Sequence, residues 1–261
     1  MNYLLGSTLC ILLTALVSTQ AQAQWLKISN TDPKPARYVV RIVAFYADGS
    51  VSFGSGALIG PRHVLTAGHI LYNHAKKNPN PVAVMVTPGM LPGGGTPFGS
   101  ANALKWAVAN EFKEWKDLFL GKPVLDYGVI LLNKNLGAVT GGWFEFEDWP
   151  RGWEYQANIS GYIPEHQQGQ VWQINANLKV VEHIAKPRIL FQNAVWNFVE
   201  PLGGVSGGPL WLRRGDRYKI IGIYTRGASF WSTVIGLPSV MGMKVHPQMR
   251  GFIDDWKKRN P

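Results

Sequence analysis

The chain has 261 residues, of which 46% are hydrophobic, enough to build a substantial globular core. Its formal net charge is +10, and the basic residues are scattered, so we favour a solvated basic surface over a nucleic-acid site and expect no nucleic-acid partner. The single cysteine excludes an internal disulfide, and no two histidines have the i, i+4 spacing with a glutamate that marks a zinc peptidase. We therefore expect no metal ion and no other cofactor.

The first 23 residues have the composition of a signal peptide. They contain no Asp, Glu, Lys or Arg, and the apolar run from Tyr3 to Val17 is followed by Ala21-Gln22-Ala23, a small-x-small cleavage pattern. This run is too short and too interrupted for a comfortable membrane span. We predict a signal peptide over 1–23, an N-terminal extension over 24–37 and a secreted or periplasmic protein without stable membrane insertion. A retained anchor is the alternative.

Most of the remaining chain predicts β-strands. Short apolar and β-branched runs recur between Gly- and Pro-rich turns, a pattern typical of barrels and sandwiches. The runs cover 38–46, 51–59, 63–65, 82–86, 129–132, 157–162, 171–181, 189–191, 210–212 and 218–224. The pattern lapses between Asn133 and Gly142. We therefore predict a first β-barrel over 38–138 and a second over 139–245.

A helix is predicted at the end of the chain, over 246–261. Its apolar residues recur at i, i+3, i+4 and i+7, on one helix face: Met249, Phe252, Ile253 and Trp256. Pro247 suits the first helical position. We expect this face to pack on a barrel; a membrane-surface helix is the alternative.

Two motifs indicate nucleophilic chemistry. Gly204-Val205-Ser206-Gly207-Gly208-Pro209 offers a serine on a glycine-framed turn, and Thr66-Ala67-Gly68-His69 offers a histidine at the end of an apolar run. Asp126 stands before a third apolar run. A serine hydroxyl is a poor nucleophile until a base takes its proton, so this combination predicts a hydrolase that uses acyl chemistry.

These segments resemble the chymotrypsin-like serine peptidases. Ser55 to His69 is similar to their catalytic-histidine strand and turn, Asp126 to Leu132 to their aspartate segment, and Gly204 to Pro209 to their nucleophile turn. The resemblance spans Tyr38 to Trp256. It implies an all-β fold of two six-stranded antiparallel β-barrels with a C-terminal α-helix. The absence of disulfides, and Val205 where trypsin-like enzymes have an aspartate, favour the bacterial glutamyl endopeptidase-like branch.

The resemblance also implies the role of each residue. Ser206 would attack the carbonyl carbon, His69 would act as base and then as acid, and Asp126 would hold the imidazole. The backbone N–H groups of Gly204 and Ser206 would form the oxyanion hole. We predict a monomeric endopeptidase that cleaves proteins or peptides through an acyl-enzyme. A catalytically silent binding protein on the same fold and an esterase with the same triad are the alternatives.

The substrate pocket is predicted from the same resemblance. Glu200, six residues before Ser206, stands where trypsin-like enzymes keep the residue at the base of the pocket, which favours Arg or Lys substrates unless Arg226 neutralises it. Tyr224 stands where the glutamyl endopeptidases have a histidine, so a glutamate preference is not expected. The strand beside the pocket continues through Thr225, Arg226 and Gly227.

Overall fold

The computed structural model describes residues 25–114, 125–148, 154–165, 170–182, 188–191, 202–227 and 240–261. The predicted signal peptide therefore lies outside the described residues. Within them the chain forms fourteen β-strands, four α-helices and two 3₁₀ helices.

Six strands between Val39 and Leu132 form the first barrel. They are β2 (Val39–Phe45), β3 (Val51–Leu58), β4 (His63–Thr66), β5 (Ala83–Pro88), β6 (Ala101–Val108) and β7 (Gly128–Leu132). They pair antiparallel and close in the order β2-β3-β4-β7-β6-β5. Strands β4 and β7 are buried along their whole length, which explains why β7 is a continuous apolar run; in β4 the polar His63 and Thr66 are buried as well.

The other eight strands form the second sheet. They are β1 (Leu26–Ile28), β8 (Glu145–Phe146), β9 (Glu154–Glu165), β10 (Gln170–Glu182), β11 (Arg188–Phe191), β12 (Pro209–Arg214), β13 (Arg217–Gly227) and β14 (Val240–Lys244). The path β10-β11-β14-β13-β12-β9 returns to β10, because β9 also pairs with β10. Six strands therefore form a closed ring. The predicted fold class is confirmed, and two short strands are added to it: β1 joins β10, and β8 joins β13 in parallel.

Four strands were not predicted: β1, β6, β8 and β14. The first of them lies inside the predicted N-terminal extension 24–37, where it pairs with the second sheet. The proposed domain limits at 38–138 and 139–245 remain predictions.

The helices are short except for the last. They are α1 (Gly68–Leu71), α2 (Asn110–Lys113), α3 (Leu136–Val139) and α4 (Pro247–Arg259), with 3₁₀ turns at Ala36–Tyr38 and Pro92–Gly94. None of the helices in the described ranges is long and apolar enough to cross a membrane.

Helix α4 covers the first barrel, as the periodicity predicts. The His246 side chain caps it by accepting from the N–H of Met249, and Pro247 occupies its first turn. Met249, Ile253 and Trp256 are buried in the core cluster that contains the first-barrel strands. Near its end, the Asn260 carbonyl oxygen lies 2.7 Å from His63 Nε2 at the start of β4.

Candidate active site

His69 lies on a sharp transition from strand to helix. Strand β4 ends at Thr66, Ala67 is still extended, and the single turn α1 begins at Gly68. A side chain at Gly68 would come within 3.1 Å of Phe112 and 3.2 Å of the Asp126 carboxylate. Glycine thus lets the turn carrying His69 pack closely against the segment that precedes β7.

Asp126 holds His69 at two points. Its Oδ2 lies 2.8 Å from His69 Nδ1, and its Oδ1 accepts a 2.9 Å hydrogen bond from the His69 backbone N–H. The Asp126 side chain is 2% exposed, whereas the His69 side chain is 34% exposed. Because an ionised carboxylate only accepts, Nδ1 must carry the proton, which leaves Nε2 free to accept one. This is the tautomer that a general base requires.

Ser206 lies on a turn that glycine makes possible. Gly204 and Gly207 have φ values of +97° and +84°, in the region that favours glycine. One hydrogen bond lies within the turn, where the N–H of Gly208 donates to the Val205 carbonyl at 2.8 Å. A second connects the turn to β13, where the N–H of Gly207 donates to the Tyr224 carbonyl at 2.7 Å.

The serine turn of the second barrel packs directly on the histidine turn of the first. A Cβ on Gly207 would overlap the Ser55 carbonyl oxygen and Thr66 Oγ1, and would lie 2.8 Å from the Ala67 nitrogen. Ala67 is two residues before His69. The structure thereby brings the predicted serine, histidine and aspartate segments to one place.

The Ser206 hydroxyl donates to the Thr225 carbonyl oxygen at 3.1 Å. No hydrogen bond between this hydroxyl and His69 is present among the described residues. Within the same ranges, the backbone N–H groups of Gly204 and Ser206 donate to no protein acceptor. These two N–H groups are therefore available to a ligand, and the oxyanion hole remains a prediction.

Ser55 joins the two barrels at this turn, a role that the sequence analysis missed. Its backbone N–H donates to the Ser206 carbonyl at 2.7 Å, and its hydroxyl donates to the Gly204 carbonyl at 2.7 Å. The same hydroxyl accepts from the Tyr162 N–H at 2.8 Å, and Thr66 Oγ1 donates to the Ser55 carbonyl. The only feature of the sequence that indicates this role is that Ser55 is a polar residue in a strand that becomes apolar toward its end.

The predicted substrate pocket is only partly described. Glu200 lies outside the described residues, and of Arg226 and Gly227 only the strand backbone is described. Tyr224 is buried in the core cluster of the second barrel that also contains Val205, and burial raises the pKa of its hydroxyl. Thr225 is buried and supplies the carbonyl that the Ser206 hydroxyl contacts. The structure assigns Tyr224 a packing role, and the pocket remains a prediction.

No group of three or more His, Cys, Asp or Glu side chains that could share a metal ion occurs in the part of the chain that the structure describes.

Comparison of whole folds defines the class. No family model matches the chain. A solved glutamyl endopeptidase in complex with MPD superposes with a TM-score of 0.71 at 22% identity, covering 93% of this chain and 99% of that one. A thermostable serine protease from an extremophilic microorganism gives a TM-score of 0.61 at 16% identity, covering 81% and 93%. The fold is therefore that of the chymotrypsin-like serine peptidases.

Sequence comparison identifies two bacterial proteases that this chain resembles. The glutamyl endopeptidase of Bacillus licheniformis is 26% identical over 239 residues, covering 88% of this chain and 66% of that protein. The extracellular metalloprotease of Bacillus subtilis is 24% identical over 212 residues, covering 79% of this chain and 61% of that protein. The predicted resemblance to the glutamyl endopeptidase branch is confirmed, and the chain spans less than two thirds of the length of either relative.

Proposed function

We propose that this protein is a serine endopeptidase in which Ser206, His69 and Asp126 act as the catalytic triad. The observation that carries the proposal is the two-point contact of the buried Asp126 carboxylate with His69, beside a glycine-framed turn that presents Ser206. The similarity to glutamyl endopeptidase supports peptide-bond hydrolysis as the reaction.

The reaction begins when the Ser206 hydroxyl turns about its Cα–Cβ bond, leaves the Thr225 carbonyl and donates to His69 Nε2. Catalytic hydrogen bonds often form only with substrate present. Oγ attacks the scissile carbonyl carbon as its proton passes to Nε2, and Asp126 stabilises the imidazolium. The N–H groups of Gly204 and Ser206 hold the oxyanion. Collapse releases the amine, which takes the proton from His69 and leaves an acyl-enzyme.

Water completes the cycle by the reverse sequence of proton transfers. His69 removes a proton from water, the resulting hydroxide attacks the acyl carbon, and the serine leaves with that proton. The two unpaired N–H donors hold the second oxyanion as they held the first. Each such donor contributes about 3–4 kcal/mol to transition-state stabilisation in related chemistry.

Two other functions are compatible with the fold. A catalytically silent binding protein does not need the His69 tautomer that Asp126 imposes. An esterase would use the same triad, and comparing matched ester and amide substrates separates it from an endopeptidase.

The test is hydrolysis of casein by the purified protein. We expect cleavage by the native chain, loss of cleavage in Ser206→Ala and full activity in the control Ser100→Ala. The Ser100 hydroxyl contacts Thr87 on the first barrel and does not contact Ser206. Equal activity of Ser206→Ala and the native chain would contradict the assignment of the nucleophile.

We further propose that the protein is exported, that residues 1–23 direct the export and that the mature chain acts as a monomer on protein or peptide substrates. The charge-free apolar start of the sequence and the extracellular designation of one relative support export. N-terminal sequencing of protein recovered from the culture medium tests the predicted start at Gln24.

A further inference from the structure

A pocket opens beside the serine turn, on the side that faces β3. Its volume is about 50 Å³, and it is lined by Arg41, Phe53, Gly54, Tyr162, Ile163, Pro164 and Gly204. Gly204 carries one of the proposed oxyanion donors. A Cβ placed on Gly54 would lie 3.2 Å from the Ser206 carbonyl oxygen. The pocket therefore adjoins the reacting centre.

Arg41 gives this mainly apolar pocket a positive charge. Its guanidinium stacks on Phe53, with its central carbon 5.2 Å from the ring centroid, and Nη1 lies 3.8 Å from the Met90 sulfur. No carboxylate among the described residues lies within ion-pair distance of it. A half-buried guanidinium without an anionic partner is unusual, because desolvation of a charge normally requires compensation.

The tyrosine in the pocket wall does not neutralise this charge. Tyr162 is fully buried, and its hydroxyl accepts from the Met90 N–H at 2.8 Å and from Gln173. Burial raises the pKa of this hydroxyl, so it remains protonated and uncharged. Burial also lowers the pKa of Arg41, but an arginine remains protonated at neutral pH.

The position of the pocket indicates which part of a substrate reaches it. The Ser206 hydroxyl faces Thr225 on β13, whereas the Ser206 carbonyl faces Ser55 on β3. When the scissile carbonyl of a peptide lies at the oxyanion donors, the acyl part and the leaving-group part of the peptide extend from it in opposite directions. The strand β13 side carries the predicted pocket for the acyl part, so the β3 side receives the leaving-group part.

We propose that Arg41 determines specificity by binding an acidic side chain on the leaving-group side of the cleaved bond. Glutamate fits best, since its methylene groups can contact Phe53 and Ile163 while its carboxylate reaches the guanidinium. The net charge of +10 also attracts acidic peptides to the protein. This inference rests on the proposed endopeptidase function.

The test uses fluorogenic peptides that differ only by Glu or Gln at each of the first three positions after the cleaved bond. We expect the native protein to prefer Glu about tenfold in kcat/KM at one position, the effect of a charge-assisted bond in a partly exposed site. About 0.5 M salt should reduce this preference by screening. Arg41→Gln should abolish this preference, so that the Glu and Gln peptides are cleaved with equal kcat/KM, while Arg41→Lys should keep part of it.

The matched control is Arg250→Gln. Arg250 on α4 stacks on Phe146 with its central carbon 4.6 Å from the ring centroid, so the variant removes a similar cation away from the pocket. It should retain the full Glu preference. Equal cleavage of Glu and Gln peptides at all three positions, or an unchanged preference in Arg41→Gln, would overturn the inference and leave the endopeptidase intact. Failure to cleave any peptide or to react with a fluorophosphonate would overturn the proposed function, and this inference with it.

Discussion

Replacing Ser55 by alanine is expected to slow catalysis although Ser55 does not touch the reacting atoms. The substitution removes a hydroxyl that is fully buried and makes two hydrogen bonds, a 2.7 Å bond to the Gly204 carbonyl and a 2.8 Å bond from the Tyr162 N–H. The first of these fixes the residue whose own N–H is a proposed oxyanion donor. Ser55 would therefore be a positioning residue.

The magnitude follows from these two bonds. Each buried group left without a partner costs about 1–3 kcal/mol, so the free energy of unfolding should fall by about 2–6 kcal/mol. Complete loss of one oxyanion donor costs about 3–4 kcal/mol of transition-state stabilisation. Displacing the donor without removing it should cost about half of that, which corresponds to a decrease in kcat of about 10- to 30-fold with little change in KM.

The assay compares Ser55→Ala with Ser160→Ala under conditions where both variants are folded. Ser160 is also a buried serine with one donated and one accepted bond, to Asn175 and from Trp211, but its hydroxyl does not contact the serine turn. Both variants should lose similar stability in urea, and only Ser55→Ala should lose kcat. A kcat of folded Ser55→Ala within twofold of the native value would refute the positioning role.

Three further predictions test other parts of the structure. Asp126→Asn should lower kcat by about 10⁴ through the wrong histidine tautomer, while circular dichroism remains native; a loss below tenfold would contradict the assigned role. Gly207→Ala should lower the free energy of unfolding by more than about 3 kcal/mol, because φ is +84° and the added Cβ would overlap two oxygens; a native urea midpoint would contradict this. Burial lowers the pKa of His63 below its usual value of about 6.5, and repulsion from Lys257 and Arg62 lowers it further. The unfolded chain therefore binds more protons than the folded chain as the pH falls through about 6.5. The urea midpoint should therefore drop between about pH 7.5 and 5.5, and His63→Gln should reduce the drop.

The C-terminal helix could be predicted almost to the residue, because its signals are local. The apolar period and Pro247 at the first helical turn both lie within the segment itself. Strand β6, in contrast, could not be predicted. Its sequence, Ala101–Val108, contains Ala, Asn and Lys, which are poor strand formers, and it is a strand because it closes the barrel between β5 and β7.

In the candidate site, too, features with local sequence signals could be predicted and features that depend on distant contacts could not. The segments around His69, Asp126 and Ser206 could be identified because the chemistry requires particular residue types in particular turns. The proposed roles of Ser55 and Arg41 could not. Ser55 depends on a partner from the other barrel, and the pocket at Arg41 is completed by Tyr162, Ile163 and Pro164 of the second sheet. The Ser55 hydroxyl meets the N–H of Tyr162, 107 residues further along the chain, and sequence spacing does not indicate that contact. In the sequence, Arg41 is only a charged residue that interrupts the apolar run over 38–46.

The most direct test of the catalytic assignment is to map the adduct of a fluorophosphonate by mass spectrometry of the native protein. The triad predicts one adduct per chain, on Ser206, with labelling slowed by more than about 10³-fold in His69→Ala. An adduct on another residue, or peptide cleavage by a protein that the probe does not label, would contradict the catalytic assignment.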